Sequence, residues 1–403
     1  MVTNNPFAPL ERINYKKTIV PVVQALLVNG LSKNAVKRSA RIGHFAGFSG
    51  GMKAKLVGEL RIDFNLVLKL GDEELLGHQE LMNAVNAGRP RTFPEVFELV
   101  HLDEGKVPAL ERDERYVLLM EDFVGFHSVA DRIYEKDTSL TDIDRLASKA
   151  IEWVLRVHRS GFDRLPPRAD PYTTRIIEKM EFIGTVMGEA AEWLNEAGTL
   201  VSDESLAGEA SLCPSWPELQ ARLQAGLPGT WEPVPVHGDP HIGNVMVRRH
   251  GSRGWATRLI DPNTTVGLTD PLYDLGKLLH WADPVGWARV RGWHGDARLT
   301  QHADGWRLTE NRSPLYNVRE TRRARLYSRL RERQQRFGDW KDPGTARRLQ
   351  LSIASAHIGM AFLLATQLEE RREQGCSSTE QNEAALRFVL FHFLRRMAKA
   401  YPG

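Results

Sequence analysis

The chain has 403 residues and a mass of 45.6 kDa, long for one hydrophobic core, so two or three domains or lobes are expected. Hydrophobic residues make up 42% and charged residues 26%, an ordinary balance for a folded globular chain, and the only cysteines are Cys213 and Cys376, which excludes a disulfide framework and a four-cysteine zinc site. The net charge of +3 is too small to argue for nucleic acid, no apolar run reaches the roughly 18 residues that cross a bilayer, and the opening MVTNNPFAPLERINYKK lacks the form of a secretory leader, so a cytoplasmic protein is expected.

In chain order, residues 15–30 (YKKTIVPVVQALLVNG) read as an amphipathic helix ending at Gly30. Residues 39–70 then hold strand candidates separated by glycines: SARIGHF, MKAKLVGELRI and FNLVLKL. A helical pattern runs from about Asp72 to Val85, and FPEVFELVHL and YVLLMEDFV return to strand texture. After Gly125 the spacing turns helical over residues 128–135, 142–161 and 172–196, with Ile151, Val154, Leu155 and His158 on one stripe. A Pro/Gly-rich loop, LPGTWEPVP, leads into VHGDPHIGNVMV. Helices dominate beyond it, except that residues 293–309 read as a hairpin or loop insertion. A strand-rich front and a helix-rich back predict two lobes with a cleft between them, joined near Glu121–Gly125.

VHGDPHIGNVMV gathers His237, Asp239, His241 and Asn244 within eight residues. Gly238, Pro240 and Gly243 make the segment a loop, and NVMVR resumes as a strand. A second short strand, ATRLID, ends at Asp261, and pairing of the two strands brings Asn244 and Asp261 together with Asp239 on the same loop. Amide and carboxylate oxygens are hard ligands that suit Mg²⁺, which keeps water and takes phosphate oxygens as well. A further carboxylate held off the metal can accept a hydroxyl proton, and base, metal amide and metal carboxylate are the parts of a phosphoryl-transfer site.

Such a site also needs a phosphate-holding turn and a strand lysine upstream. Ala46–Met52 supplies the turn, with Ser49, Gly50 and Gly51 permitting close approach of backbone N–H groups. Lys69, in the apolar run LVLKL, needs an anionic partner. The following helix offers Glu73, Glu74 and Glu80, of which Glu80, in HQELMNAV, is expected to face the strand.

HGDPHIGN resembles the HGDxxxxN catalytic loop of the aminoglycoside phosphotransferase (APH) family, small-molecule kinases of protein-kinase-like fold. LIDPN resembles the family's metal-binding segment, DPLYDLGKLLH the helix start that follows it, and YVLLMED its interlobe linker. The resemblance implies an α+β fold of two lobes: a small antiparallel-sheet nucleotide-binding lobe with a leading helix over 1–122, and a larger, mainly helical lobe over 123–403 that carries the catalytic loop (237–244) and the metal-binding segment (260–263). It implies Asp239 as the base that receives the acceptor's proton, and Asn244 and Asp261 as ligands of Mg²⁺ ions that bridge the phosphates of ATP, or of GTP. It implies that Lys69 contacts the phosphates and pairs with Glu80, and that Met120, Glu121, Asp122 and Phe123 meet the base of the nucleotide. Asp274 and His237 would support the loop. The protein-kinase relatives carry an arginine before the catalytic aspartate; Gly238 here points to a small-molecule acceptor.

Three other readings compete. A metallohydrolase on His237, Asp239 and His241 lacks a second ligand cluster and leaves Lys69 and Asp261 without a role. A catalytically inactive nucleotide-binding scaffold would be expected to lose the base, a metal residue or the lysine, and all are present. A nucleic-acid surface would rest on the run Arg319, Arg322, Arg323, Arg325, Arg329, Arg331, Arg333 and Arg336, opposed only by Glu320 and Glu332, but Leu326, Tyr327 and Leu330 give that helix a packing face. Family acceptors include aminoglycosides and other antibiotics, choline, amino-alcohols and sugars. The arginine-rich stretch favours a neutral or anionic, sugar-like or nucleoside-like acceptor, although Asp296, Asp304, Glu310, Glu369 and Glu370 stand in the same half of the chain.

Overall fold

The apolar runs of the first third pair into one antiparallel sheet. The computed structural model describes residues 41–46, 52–57, 65–101, 116–202, 211–250, 254–285, 298–309, 316–373 and 380–402, apart from positions 89, 122, 124, 134, 136 and 284 and position 304. The expected helix over 15–30 and the turn carrying Ser49, Gly50 and Gly51 lie outside the described residues, as does Asp122. Strands β1 (Arg41–Ala46), β2 (Met52–Val57) and β3 (Asn65–Gly71) are followed by α1 (Glu74–Asn86), then β4 (Val96–His101) and β5 (Tyr116–Glu121). The sheet order is β1-β2-β3-β5-β4, so Lys69 sits on the middle strand, opposite Leu118 of β5. Helix α1 buries Leu75, His78, Leu81, Met82 and Val85, the stripe that a 3.6-residue period turns to one side.

A short strand β6 (His127–Ser128) and one helical turn, α2 (Val129–Arg132), lead to α3 (Leu140–His158). Ser139 and Asp142 close a reciprocal capping box at the start of α3. Helix α4 (Thr173–Met187) runs on as a 3₁₀ helix over Gly188–Asn195. Then come β7 (Gly198–Ser202), β8 (Ser211–Cys213), α5 (Trp216–Ala225) and β9 (Val234–Pro235). Strands β10 (Val245–Arg249) and β11 (Trp255–Leu259) form the expected hairpin, with Val245 opposite Leu259. After β12 (Leu268–Thr269), which pairs with β9, come α6 (Leu272–Ala282), β13 (Arg298–His302), β14 (Gly305–Thr309), α7 (Tyr316–Arg331), α8 (Pro343–Glu373) and α9 (Glu380–Ala400).

The mixed α+β class expected from the sequence is the one observed: small antiparallel sheets and a mainly helical remainder. Residues 298–309 form the expected hairpin, and β14 extends it by pairing in parallel with β7, a long-range contact that no local pattern announces. One apolar core runs without a break from α1 and β5 through α3, β10 and β11 to α6 and α7, and includes Leu81, Leu118, Val154, Val247 and Leu275. All eleven residues of α6 are buried, Asp274, Lys277 and His280 among them. A helix buried all round must find partners for its polar groups. Helix α8 is long and apolar enough to cross a membrane, and 72% of its apolar window is buried inside the fold.

Arg322, Arg323, Arg325 and Arg329 of α7 bond to neighbouring elements. Arg325 grips Asp144 of α3 with two bonds of 2.7 Å, and Arg329 adds a third at 2.8 Å. Arg322 donates to the Ile133 and Glu135 carbonyls, and Arg323 donates to the Ala282 carbonyl.

Candidate active site

The loop between β9 and β10 is fixed from behind by one carboxylate. Asp274, fully buried near the start of α6, accepts the main-chain N–H groups of His237 (2.8 Å) and Gly238 (2.9 Å). His158 of α3 donates to the same carboxylate through Nε2 at 2.9 Å. Gly238 has φ of 79°, where a side chain is strained, and a Cβ there would come within 2.1 Å of the Asn263 carbonyl. Asn263 in turn donates its N–H to the His237 carbonyl at 2.7 Å. The glycine is therefore required by the close approach of two loops, whatever the substrate. The buried His237 ring stacks on Phe93, 5.6 Å between centroids, and its Nδ1 accepts the Asp239 N–H at 3.3 Å. Burial pushes its pKa down, so the ring is neutral.

Asp239 is partly open to solvent, with 33% of its side chain exposed. Lys277 of α6 places Nζ 3.1 Å from Oδ1, and His241 places Nε2 3.6 Å from Oδ2. Withdrawal from water pushes the Asp239 carboxyl up, but Lys277, His241 and His280 together hold it below the usual carboxylate range. His241 stacks nearly parallel on Trp281, 4.4 Å between centroids, and its Nδ1 accepts the Gly243 N–H.

Asn244 donates Nδ2–H to the Asp239 carbonyl at 2.9 Å, and its own carbonyl accepts the Ile260 N–H at 3.0 Å. That strand pairing sets Asp261 beside Asn244. Asp261 is the one described non-glycine residue with positive φ, at 60°, a backbone state that aspartate tolerates better than most residues and that clusters at functional sites. Lys69 of β3 donates to Asp261 Oδ1 at 2.6 Å and to His78 Nδ1 at 3.2 Å. An ammonium only donates, so His78 accepts on Nδ1 and presents Nε2–H to Glu74 at 3.0 Å. Burial pushes the His78 pKa down, in keeping with a neutral ring.

Glu80 does not meet Lys69. It is exposed on α1, two residues and about 200° of helical rotation from His78, off the buried stripe that faces β3. His78 and Glu74 occupy that face instead. At the end of β5, Met120 is buried opposite Val67, and the Glu121 N–H bonds to the Glu95 carbonyl at 2.9 Å. Phe123 packs on Phe126, with Arg258 above its ring.

Lys277 has a signal of its own in the sequence. It lies in DLGKLLH, a lysine inside an apolar helix, and the argument that marks Lys69 as needing a carboxylate applies to it equally. His158, by contrast, lies 116 residues from Asp274, and only the fold brings the two together. Among the described residues no group of three His, Cys, Asp or Glu side chains is placed to hold a metal. What the site offers is one amide and one carboxylate. That donor set does not make an all-protein cage, but it fits a Mg²⁺ ion whose remaining ligands are water and phosphate oxygens.

A sheet with a buried lysine on its middle strand, set against a helical body that presents a loop aspartate and an adjoining amide–carboxylate pair, defines a protein-kinase-like α+β protein. The chain belongs to the phosphotransferase enzyme family (APH), whose model matches residues 94–310. That span takes in the loop, Asp261 and α6. Among solved structures the chain is similar to the macrolide 2'-phosphotransferase MphH from Brachybacterium faecium, as the apoenzyme, at 14% identity and a TM-score of 0.38, over 90% of this chain and 97% of that one. No curated protein matches the chain by sequence.

Proposed function

We propose that this phosphotransferase moves the γ-phosphoryl group of ATP to a hydroxyl of a small molecule. The observation that carries the reading is the meeting of Asp239, Asn244 and Asp261, with Lys69 reaching Asp261 at 2.6 Å. Residues 1–122 serve as the nucleotide lobe and 123–403 as the lobe that holds catalytic loop and acceptor. Asp239, ionised at neutral pH, takes the proton of the acceptor hydroxyl. Asn244 and Asp261 hold Mg²⁺, which neutralises charge on the phosphates. Lys69 reaches a phosphate oxygen, and Met120–Phe123 contact the base of the nucleotide. His237 and Asp274 keep the loop in place.

The test is ADP release with Mg²⁺-ATP across aminoglycosides, other antibiotics, sugars, nucleosides and amino-alcohols, with GTP as a parallel donor. Asp239→Asn should lower the best transfer rate by about 10²–10⁴-fold while nucleotide binding persists. Unchanged turnover in that variant rejects Asp239 as the base, and nucleotide binding with no transfer to any acceptor favours an inactive scaffold.

A further inference from the structure

His241 stands beside the base and has no part in the transfer chemistry above. Its ring is clamped in one orientation. One face stacks on the buried Trp281, 4.4 Å between centroids and 12° from parallel. At the ring edge, Nδ1 accepts the Gly243 N–H at 3.1 Å. A Cβ on Gly243 would come within 2.8 Å of the ring's Cε1 and 2.9 Å of Nδ1. Gly243 is not among the glycines of positive φ, so the close approach of the ring, and not the backbone conformation, excludes a side chain there. The His241 carbonyl accepts the Asn244 N–H at 2.7 Å, which ties the residue to the loop.

The same contacts fix the tautomer. A ring nitrogen that accepts an N–H carries no proton, so the proton of the neutral imidazole sits on Nε2. Nε2 lies 3.6 Å from Asp239 Oδ2, too long for a hydrogen bond. The other carboxylate oxygen, Oδ1, is held by Lys277 at 3.1 Å. A donor and an acceptor therefore flank one gap. An oxygen about 2.9 Å from each fits across it. A hydroxyl serves both at a single atom, since it accepts from Nε2–H and donates to Oδ2.

We propose that His241 positions the acceptor hydroxyl, donating Nε2–H to its oxygen while that hydroxyl donates to Asp239 Oδ2. The inference rests on the ATP-dependent transfer proposed above. The bond to Nε2 engages one lone pair of the oxygen and leaves the other for the γ-phosphorus. The oxygen bonds to that phosphorus, and its proton passes to Oδ2. The bond from the phosphorus to the β–γ bridging oxygen breaks, and ADP leaves with the electron pair. His241 orients the oxygen throughout and exchanges no proton.

The first test needs no turnover. The full chain is labelled with isotopic histidine, and its ring-nitrogen shifts are read at neutral pH, with the His241 signals assigned by their loss in His241→Phe. The Nε2–H tautomer is expected, and an Nδ1–H tautomer or an imidazolium overturns the proposal. The second test is ADP release from Mg²⁺-ATP with water as the only hydroxyl, read as kcat and as KM for ATP. His241→Phe keeps a ring against Trp281 and loses the donor, so kcat should fall about tenfold with KM unmoved. His241→Gln keeps a side-chain N–H and should recover most of the rate. Gly243→Ala displaces the ring and should act like His241→Phe. In a His241→Ala background it should have no further effect, because no ring remains to meet the methyl.

An unchanged kcat in His241→Phe overturns the proposal, as does a Gln variant no faster than Phe. A rise in KM that matches the fall in kcat also overturns it, by giving His241 to the nucleotide or to the support of Asn244. In each of these cases slower release by Asp239→Asn than by the native chain leaves the transfer reaction standing. Equal release by the native chain and Asp239→Asn overturns that reaction, and the role of His241 with it.

Discussion

Lys69 and Lys277 are buried lysines on two different elements, and each holds a carboxylate to which the proposed reaction gives a role, Asp261 in one case and Asp239 in the other. In the mechanism proposed above Asp239 acts as the carboxylate, so the second pair would set the pH behaviour. Removal from water alone would raise its pKa, and Lys277 is the largest of the opposing influences that bring it below the usual range. In the native enzyme the acid limb of kcat therefore lies below the ordinary carboxylate pKa of about 4. Lys277→Met removes the cation and leaves the withdrawal from water, so the limb should move up, to pH 4 or above, with the alkaline side unmoved. A pH–rate profile of the variant checks this, and an unshifted acid limb would show that Lys277 does not tune the base.

Elements that look alike in sequence take different tasks. In sequence the arginine run favours a neutral or anionic acceptor, yet in the fold Arg325 and Arg329 of α7 clamp Asp144 of α3. The two bonds from Arg325 come first in drawing the Asp144 carboxyl down to about 2. A carboxyl lowered in the folded state stabilises the fold above its unfolded pKa, close to 4, and that contribution fades as pH falls from about 4 towards 2. Asp144→Ala should lower the Tm by about 2 °C at pH 7, a modest amount because the pair is near the surface and screened. The gap to the native protein should narrow at pH 3, and melts at both pH values test it; a gap that widens in acid would contradict the clamp. The strands and helices around the site were legible because each is a local pattern: glycine-bounded apolar runs for β1 to β3, a 3.6-residue stripe for α1 and α3, two short strands for the β10–β11 hairpin. The same stripe places His78, and not the expected Glu80, against Lys69. The parallel pairing of β7 with β14, and the approach of His158 to Asp274, depend on chain segments far apart and have no local signal.

At the scale of the whole molecule, function depends on holding the sheet against the helical body to within a fraction of an ångström. Contacts among the described residues that cross that boundary at the site include Phe93 stacked on His237, Lys69 to Asp261, the Leu259 N–H to the Thr92 carbonyl at 2.8 Å, and α1 against the short 3₁₀ turn Thr264–Val266 that follows Asp261. The last of these rests on Gly77. A Cβ there would come within 2.7 Å of Thr264 Oγ1 and 3.2 Å of its Cβ, so any side chain pushes α1 away from the turn. The same helix carries His78, which receives Lys69, and the same turn follows the residue that Lys69 holds. Gly77→Ala also gains helix propensity, about 1 kcal/mol in a helix interior, which opposes the overpacking cost of roughly 1–3 kcal/mol. The melting temperature is therefore a poor reporter, because the two effects offset. The geometry of the nucleotide site is the better one: KM for ATP should rise about tenfold in Gly77→Ala, the scale of one displaced charged contact. Thr264→Ala removes the atom that the new methyl meets most closely, Oγ1, and leaves only the 3.2 Å approach to Cβ. In the double variant the KM should return most of the way, giving a coupling of opposite sign to the single effects. If the two substitutions proved additive, α1 and the turn after Asp261 would not act on Lys69 as one unit, and the alignment of sheet and catalytic loop would have to come from the remaining contacts.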